Sequence, residues 1–417
     1  MNNVIEVEKG YKKTSMGILP SDWEVVHVED VALVDKESLN GNTDPDYTFE
    51  YISLSDVDEK VYSTNTVQFK NAPSRARRLV FGGDIIMSTV RPNLQGFAMI
   101  KEDKRPLVAS TGFAVITANK IEKSFLFQLL FSEVFSKQFY QLTVGSNYPA
   151  INSSDVKRLK VPFPPVIEQN KIGNVLETWD NGIEILTKSL EQLRLRKKGL
   201  MQQIFSGELR LQNPSGKSFQ DWKAQKLGHY LKVSKAKNLD LKYGGEDVLS
   251  VSGEFGIVNQ IEFHGRSFAG ASVANYGVVE TGDIVYTKSP LKANPYGIIK
   301  VNKGVPGIVS TLYAIYKCKP TVNGEFVDYY FQLDDNVNRY LRPLVQKGTK
   351  NDMKINNEKV LIDKVLFPSV EEQAVIVDFF KTVDQEITET KNYLETLKTQ
   401  KKGLMQKLLT GEVRVKI

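Results

Sequence analysis

The side chains that most often carry out catalysis or bind metals are sparse in this sequence. Its three histidines are His27, His229 and His264, and none stands at zinc-ligand spacing from a cysteine or carboxylate. The single cysteine, Cys318, permits no disulfide framework and is expected to be a small buried side chain rather than a nucleophile. P-loop, G-x-G-x-x-G and G-x-S-x-G motifs are also missing from the sequence. We therefore expect no catalytic residue and no metal site in this chain.

Polar, basic segments indicate a different chemistry, contact with nucleic acid. Residues 70–78 and residues 285–303 each hold four basic side chains and no acid. Lys and Arg suit phosphates, whereas Arg, Asn and Gln can also read base edges in the major groove. For any single residue an ordinary solvated loop is the alternative. The candidate DNA-contacting residues are Lys70, Arg75, Arg77, Arg78, Arg91, Asn93, Gln95, Asn147, Tyr148, Lys288, Lys292, Asn294, Tyr296, Lys347, Thr349, Lys350, Asn351 and Lys354.

One short segment, Asn294-Pro295-Tyr296-Gly297, resembles an enzyme motif. Methyltransferases that act on the amino group of adenine carry Asn or Asp, two prolines and then an aromatic residue, and the second proline is missing here. No glycine-rich cofactor loop follows a strand elsewhere in the sequence. A methyltransferase with a degenerate site is therefore disfavoured, and a loop that faces DNA is the better interpretation.

The elements that must position these residues are repeated within the chain. Lys-Lys-Gly-Leu-Met-Gln at 197–202 recurs at 401–406, a shift of 204 residues, and Gly-Glu-x-Arg at 207–210 recurs at 411–414. Glu168-Gln169 recurs as Glu372-Gln373 at the same shift, while Asp22-Trp23 recurs as Asp221-Trp222 at a shift of 199. Agreement is dense at the ends of each half and poor in the middle, which predicts a shared scaffold that carries different working surfaces.

Each copy of the repeat ends in a heptad pattern of apolar residues, which predicts a long helix. Each helix should run about 35 residues, or roughly 50 Å at 1.5 Å per residue. Charged residues interrupt the two stripes at Lys197 and Lys401, and Gly207 and Gly411 are the expected helix stops. Spacing alone leaves a parallel or an antiparallel pairing open. The predicted seam residues are Ile172, Leu176, Trp179, Ile183, Leu186, Leu190, Leu193, Ile376, Phe380, Val383, Ile387, Leu394 and Leu397.

Residues upstream of each helix are typical of sheet-rich α+β domains, because short β-branched runs alternate with Gly, Pro and Asn. Predicted strands include 47–52, 84–88, 112–116, 247–251, 283–287 and 312–316, with one helix in each half near 125–142 and 326–344. The predicted domains are a first sheet-rich domain with an N-terminal extension at 1–165, a first long helix at 166–210, a second sheet-rich domain at 211–368, and a second long helix with its tail at 369–417.

The composition fits this organisation. A chain of 417 residues is too long for one compact core, and 41% hydrophobic with 25% charged residues is typical of a folded protein. The net charge of +6 permits nucleic-acid binding without requiring it. No apolar run reaches about 18 residues and the N-terminus lacks a signal-peptide pattern, so a cytoplasmic protein is the simplest interpretation.

The whole repeat resembles the specificity subunit of type I restriction–modification enzymes. Single motifs are weakly specific, but their order, repeated twice over essentially the full chain, is highly specific. In the second half, 219–222 lacks the leading proline and 366–369 has one proline fewer. The matching segments are Leu19-Pro20-Ser21-Asp22-Trp23, Gly82-Gly83-Asp84-Ile85-Ile86, Val161-Pro162-Phe163-Pro164-Pro165, Glu168-Gln169, and the Lys-Lys-Gly-Leu-Met-Gln and Gly-Glu-x-Arg segments that close each helix.

The resemblance implies two target-recognition domains that each read one half of a split, asymmetric double-stranded DNA site. It implies an antiparallel pair of helices that fixes the gap between the half-sites. Methylation subunits, expected to be two, would bring S-adenosylmethionine, and restriction or translocase subunits would bring ATP and magnesium. This chain would hold none of these cofactors and would itself be non-catalytic.

Two other classes of protein compete with this interpretation. A coiled-coil adaptor that binds only protein fits the heptads but leaves the two large domains with basic, unlike loops unexplained. A self-sufficient DNA methyltransferase or nuclease needs a cofactor loop or a carboxylate cluster, and the sequence offers neither. Salt-dependent DNA binding separates the recognition subunit from the adaptor, and methyl transfer without partners separates it from the enzyme.

Overall fold

The chain forms two compact units in a computed structural model that describes residues 8–58, 60–101, 105–143, 149–270, 272–291, 293–347 and 353–416. The first unit comprises Met1–Thr187 and Asn392–Ile417, and the second comprises Lys188–Lys391. Each unit therefore combines one globular half of the repeat with segments of both long helices.

The first unit is built on two four-stranded sheets, with strand orders β11-β10-β13-β4 and β8-β5-β12-β9. Its strands are β1 (Tyr11–Thr14), β2 (Gly17–Pro20), β3 (Glu24–His27), β4 (Ala32–Val34), β5 (Thr48–Ile52), β6 (Val57–Asp58), β7 (Val61–Tyr62), β8 (Asn65–Gln68), β9 (Ala76–Val80), β10 (Ile85–Ser88), β11 (Phe97–Met99), β12 (Leu107–Ser110), β13 (Phe113–Ala118) and β14 (Lys160–Phe163). Its helices are α1 (Val28–Val31), α2 (Lys123–Leu130), α3 (Glu133–Thr143), α4 (Ser153–Lys157) and the first part of α5 (Val166–Ser206).

The second unit repeats the central sheet of the first, because its order β16-β23-β20-β21 matches β4-β13-β10-β11. Its strands are β15 (Lys223–Lys226), β16 (Leu231–Val233), β17 (Leu249–Ser252), β18 (Gly256–Asn259), β19 (Gly277–Val279), β20 (Ile284–Thr287), β21 (Ile299–Val301), β22 (Gly307–Val309), β23 (Tyr313–Cys318), β24 (Gln346–Lys347), β25 (Met353–Lys354) and β26 (Lys364–Phe367). Its helices are α6 (Leu227–Tyr230), α7 (Gln260–His264), α8 (Gly324–Gln332), α9 (Asp334–Leu341) and the first part of α10 (Val370–Leu409).

The repeated Gly-Asp pair starts the same central strand in both units. Gly83 and Gly282 have φ values of +89° and +88°, which glycine adopts without a Cβ penalty. The following Asp84 and Asp283 are buried, and each accepts a hydrogen bond at 2.9 Å from the backbone N–H three residues earlier. This local turn explains why the motif survives in both halves of an otherwise divergent sequence.

The two long helices predicted from the heptad patterns are confirmed. They span 41 and 40 residues and end before Gly207 and Gly411, whose φ values are +79° and +70°. Every predicted seam residue is buried or half-buried. Inside each unit the helix segments run antiparallel, because in the first unit Asp180 pairs with Lys401 while the earlier Glu168 pairs with the later Arg414.

The predicted strands are confirmed, but the prediction of a single helix in each globular half was wrong. The segment 125–142 is divided between α2 and α3, and 326–344 is divided between α8 and α9. Ser132 donates its hydroxyl to the carbonyl of Leu129 at 2.6 Å, a local bond that competes with helix continuation. Leu333 adopts an extended conformation with ψ of 119°, which ends α8.

Candidate nucleic-acid interface

The repeated motifs meet at one joint in each unit. In the first unit Glu168, with no side-chain exposure, accepts hydrogen bonds from the indole of Trp23 at 3.0 Å and from Arg414 at 2.6 and 2.7 Å. In the second unit Glu372 accepts from Trp222 at 3.0 Å and from Arg210 at 2.9 Å. A buried carboxylate is costly without such partners, so the Asp-Trp, Glu-Gln and Gly-Glu-x-Arg motifs are explained as scaffold.

The charged interruptions of the heptads form a second pair of contacts between the helix segments. Lys401 donates to Asp180 at 2.6 Å, and Lys60 from the β6–β7 turn donates to the same carboxylate at 2.8 Å. Burial and the charge of Lys401 lower the pKa of Lys60 to about 8. Burial alone would raise the pKa of Asp180, but the two ammonium groups lower it.

The second unit repeats the lysine–aspartate pair but completes it with a different third side chain. Lys197 donates to Asp384 at 2.6 Å, and the hydroxyl of Tyr329 donates to the other oxygen of that carboxylate at 2.7 Å. Hydrogen bonding to Asp384 and burial raise the pKa of Tyr329, with burial the larger cause. The scaffold is therefore shared while the side chains that complete it differ.

One edge of the first unit gathers several predicted DNA-contacting residues. The N–H of Thr111 donates to the carbonyl of Arg75 at 2.8 Å, and the N–H of Thr89 donates to Gly112 at 2.9 Å. These bonds join the start of β9 to the β12–β13 turn and to the end of β10, after which Arg91 follows. We call Arg75, Arg91, Asn93, Gln95 and Thr111 the first reading edge.

The loop in the first reading edge is conformationally unusual. Arg91 and Gln95 have φ values of +49° and +56°, in the left-handed region that non-glycine residues rarely adopt. They flank a short 3-10 helix, Pro92–Leu94, whose Asn93 is exposed and whose Leu94 is 69% exposed. Backbone strain of this kind costs free energy and is concentrated at functional sites.

The basic segment 70–78 is only partly available for a ligand. Lys70 pairs with Asp46 at 2.6 Å, Arg77 lies 4.9 Å from the ring centroid of Phe69, and Arg78 pairs with the buried Asp35 at 3.0 Å. Arg75 is exposed, and no hydrogen bond or ion pair within the described ranges engages its side chain. Arg75 is thus the member of this segment best placed to contact a phosphate or base.

The corresponding edge of the second unit is formed by different residues. Lys288 follows β20, its N–H donates to the carbonyl of Leu312 at 3.0 Å, and its ammonium donates to Asn357 at 3.4 Å. Asn294 is only 8% exposed, and its amide donates to Asp334 at 2.8 Å. Its role in the structure is therefore to hold a turn, with Tyr296 half-buried beside it.

The turn at Asn294–Gly297 explains the motif that resembled a methyltransferase. The carbonyl of Asn294 accepts the N–H of Gly297 at 3.0 Å, and the carbonyl of Tyr296 accepts the hydroxyl of Tyr286 at 2.8 Å. Gly297 has a φ of +89°, and a Cβ there would lie 2.0 Å from the carbonyl oxygen of Thr287. Close backbone approach accounts for the glycine without any cofactor.

The remaining predicted residues fall into two groups. Lys347 and Lys354 lie on the paired strands β24 and β25. The other predicted residues lie outside the described ranges: Asn147, Tyr148, Lys292, Thr349, Lys350 and Asn351.

A basic groove in the second unit was missed by the sequence-based prediction. It has a volume of about 780 Å³, and Lys226, Lys232, Lys319 and Lys364 line it together with His229. These lysines are scattered between 226 and 364, so no local charge run marks them. Comparison of the two halves of the repeat, position by position, was the signal that could have found them.

Other classes of site find no support in the part of the chain that the structure describes. Within it, no group of three or more His, Cys, Asp or Glu side chains is arranged to hold a metal ion. None of the helices described is both long enough and apolar enough to cross a membrane.

The chain combines a twofold internal repeat, paired antiparallel helix segments and two unlike polar edges, an architecture typical of proteins that recognise split DNA sites. Residues 20–195 match the family model described as the type I restriction modification DNA specificity domain. Type I restriction–modification specificity subunits are therefore the proteins that this chain resembles.

Individual relatives extend this match to the whole chain. The putative type I restriction enzyme MjaX specificity subunit of Methanocaldococcus jannaschii is 26% identical over 98% of each chain. The MjaVIII specificity subunit of the same organism is 31% identical over 49% of this chain and 50% of that protein. A solved chain from a study of assembly and conformational transition of a type I restriction–modification system has the same fold, with a TM-score of 0.60, 21% identity, and coverage of 95% of this chain and 99% of that one.

Proposed function

We propose that this chain is the DNA-recognition subunit of a type I restriction–modification complex and that its two units read different half-sites. The observation that carries the proposal is the contrast within the repeat. The buried joints at Glu168 and Glu372 are the same, whereas the edges that follow β10 and β20 are unlike. Two edges with unlike hydrogen-bonding groups select unlike bases, so the target is bipartite and asymmetric.

The first reading edge supplies the chemistry for one half-site. Arg75 and Arg91 can contact phosphates or guanine, and Asn93 and Gln95 carry the amides that pair best with adenine. Rigid strands on either side hold these groups in place, which reduces the entropy lost when DNA binds. In the second unit, Lys288 takes the position next to the β22–β23 turn.

The catalytic steps belong to partners in this proposal. Two methylation subunits, docked on the helical scaffold, supply S-adenosylmethionine, and restriction or translocase subunits supply ATP and magnesium. The chain itself contributes DNA recognition and assembly of the complex. We place this complex in the cytoplasm. We therefore expect that the purified chain alone transfers no methyl group from a labelled donor and cleaves no DNA, and turnover free of partner contamination would contradict this.

A reciprocal domain exchange tests the two-unit part of the proposal. Residues 219–368 are replaced by the same region of a relative, and the modified bases are mapped at base resolution in cells that carry the partner subunits. One half-site should change while the other stays intact, and exchange of 20–165 should do the converse. A continuous palindromic target, or an exchange that alters both half-sites together, would refute the proposal.

A further inference from the structure

The basic groove of the second unit lies where β15 pairs with β26. Lys226 and Lys232 line it from the β15–β16 region, Lys364 lines it from β26, and Lys319 lines it just beyond β23. Its one acidic lining residue is Glu358. A concave surface with one sign of charge focuses its potential and attracts counter-charge, so this groove is suited to an anion.

The charges of the groove lysines are not neutralised by ion pairs within the described ranges. Lys226, Lys232 and Lys364 are exposed, and none of them takes part in an ion pair within the described ranges. Lys319 is half-buried and its ammonium donates to the carbonyl of Gly228 at 2.5 Å, which fixes its position but leaves its charge uncompensated. The groove thus presents three exposed ammonium groups and one held in place.

Two of these lysines face each other at a cost to stability. Lys226 and Lys364 are directly opposite in the register of β15 and β26. Like charges at opposed positions of paired strands are destabilising. A fold under pressure for stability alone would not keep this pair, so the pair points to a ligand that compensates it.

The other half of the repeat provides an internal comparison. The same two strands pair in the first unit, where His27 stands opposite Lys160. At a shift of 199 residues, Lys223, Gly228, His229 and Lys232 correspond to Glu24, Glu29, Asp30 and Leu33. The scaffold is therefore shared, but in the first unit this face carries three acids beside His27 and Lys160, whereas the aligned positions of the second unit carry no acid.

The groove continues the candidate interface of its own unit. A short 3-10 helix, Asn357–Leu361, lies between the groove and the predicted DNA-contacting loop that follows β20. On one side Asn357 accepts a hydrogen bond from Lys288 of the predicted DNA-contacting loop at 3.4 Å. On the other side the neighbouring Glu358 and Leu361 line the groove. The loop and the groove are therefore neighbours, with this short helix between them.

We infer that the groove binds the phosphodiester backbone of the DNA duplex beside the half-site that the second unit reads, an inference that rests on the proposed DNA-binding function. Lysine is a point charge on a flexible stem, which suits phosphates and carries no base information. This contact is specific to the second unit, because Glu24, Glu29 and Asp30 on the equivalent face of the first unit disfavour the backbone charge. The footprint on DNA extends further on the side of the second unit.

A matched pair of variants tests this inference in the complex with partner subunits. Lys226→Gln with Lys364→Gln removes two groove charges, and Lys157→Gln with Lys160→Gln removes two lysines from the equivalent face of the first unit. Binding is measured across a salt series on a duplex with long flanks and on one that ends at the second half-site. On the long duplex the groove variant should lose roughly tenfold in affinity, and its salt slope should fall by roughly 1.8, about 0.9 per phosphate.

Each outcome decides between this inference and its alternatives. The control variant should bind like wild type on both duplexes, and the groove variant should bind like wild type on the truncated one. An unchanged salt slope with intact specific binding overturns the groove inference but not the proposed function. Impaired assembly with partner subunits and normal DNA affinity would instead assign the groove to an acidic protein segment. Absence of specific DNA binding by wild type would overturn the proposed function itself.

Discussion

The ammonium group of Lys401 donates to the carboxylate of Asp180 at 2.6 Å, and both residues lie on long helices within the first unit. The side chain of Lys401 is 9% exposed, so the charge is nearly removed from water. Lys197 and Asp384 repeat the contact at 2.6 Å in the second unit. A buried polar pair between helices is best understood as a device that fixes their register, because only one alignment satisfies both charges.

Removal of the shared carboxylate in the first unit should be strongly destabilising. In Asp180→Asn, Lys401 and Lys60 would face each other without a counter-charge, and loss of one member of a buried pair costs about 3–5 kcal/mol. Chemical denaturation should show the loss of unfolding free energy, and Glu177→Gln, an exposed change on the same helix, should stay within about 0.5 kcal/mol of wild type.

A second substitution makes this prediction specific. Lys60→Met added to Asp180→Asn should recover part of the lost stability, since it removes one of the two like charges. Equal stability of the single and double variants would mean that the electrostatic explanation is incorrect.

The stability of the first unit should also depend on pH through Lys60. Its folded pKa is about 8, below the ordinary value of 10.5, because burial and Lys401 disfavour its charge. Between those two values the unfolded chain binds more protons on this residue, so its contribution to unfolding free energy rises with pH. Below pH 8 the full cost of burying the charge is present, and above about pH 10.5 no further gain occurs.

The measurement compares wild type with Lys60→Met at each pH, so that pH effects from the rest of the chain are shared by both proteins. The stability of wild type relative to the variant should rise between pH 8 and 10, by at most about 1.4 kcal/mol per pH unit. A difference that is flat or falls over this range would contradict the direction of the pKa shift.

The helices and their joints could be predicted from sequence because their signals are local and repeated. The heptads gave the seam, and the two lysines that interrupted them mark where Asp180 and Asp384 lie opposite. The antiparallel direction came only from the family resemblance. It could not be derived from spacing, which is the same for both directions.

The candidate interface was harder to predict because its residues depend on tertiary contacts. Asn294 was expected to face DNA, but its side-chain amide donates a hydrogen bond to Asp334, which lies 40 residues away in sequence. Arg78 is similarly tied to Asp35. The groove lysines come from four separate elements, so no sequence window contains their cluster. Residue type and local spacing do not show which side chains are engaged by partners that are distant in sequence.

The turn at Gly297 should be intolerant of any side chain. In Gly297→Ala the new Cβ would meet the carbonyl of Thr287, at a φ of +89°. Such a clash together with the left-handed backbone should cost more than about 2 kcal/mol and loosen the loop that follows β20. Differential scanning calorimetry of the chain should show a lower Tm for the second unit.

Gly304→Ala is the matched control, since a Cβ there would lie 3.6 Å from its nearest neighbour, Asn302. Its Tm should stay near that of wild type. If both glycine variants were equally stable, the close approach at Thr287 would not constrain this loop.

Asn93 of the first reading edge and Lys70 of the basic segment 70–78 should separate base recognition from phosphate contact. Asn93 is exposed on a strained loop, and its amide can read a base edge, whereas Lys70 is an exposed charge paired with Asp46. Asn93→Ala should relax one position of one half-site, with a loss of about 1–3 kcal/mol of discrimination. Lys70→Gln should weaken binding to all sequences alike, with a salt slope lower by about 0.9 if Lys70 contacts a phosphate.

A randomised target library, methylated by the complex and sequenced, measures both effects at once. For Asn93→Ala the base frequencies should change at a single position in the half-site of the first unit, while the half-site of the second unit stays as in wild type. The selectivity pattern of Lys70→Gln should match wild type at reduced yield. A pattern unchanged by Asn93→Ala would exclude this side chain from base reading, and a change in the second half-site would show that the two edges do not act independently.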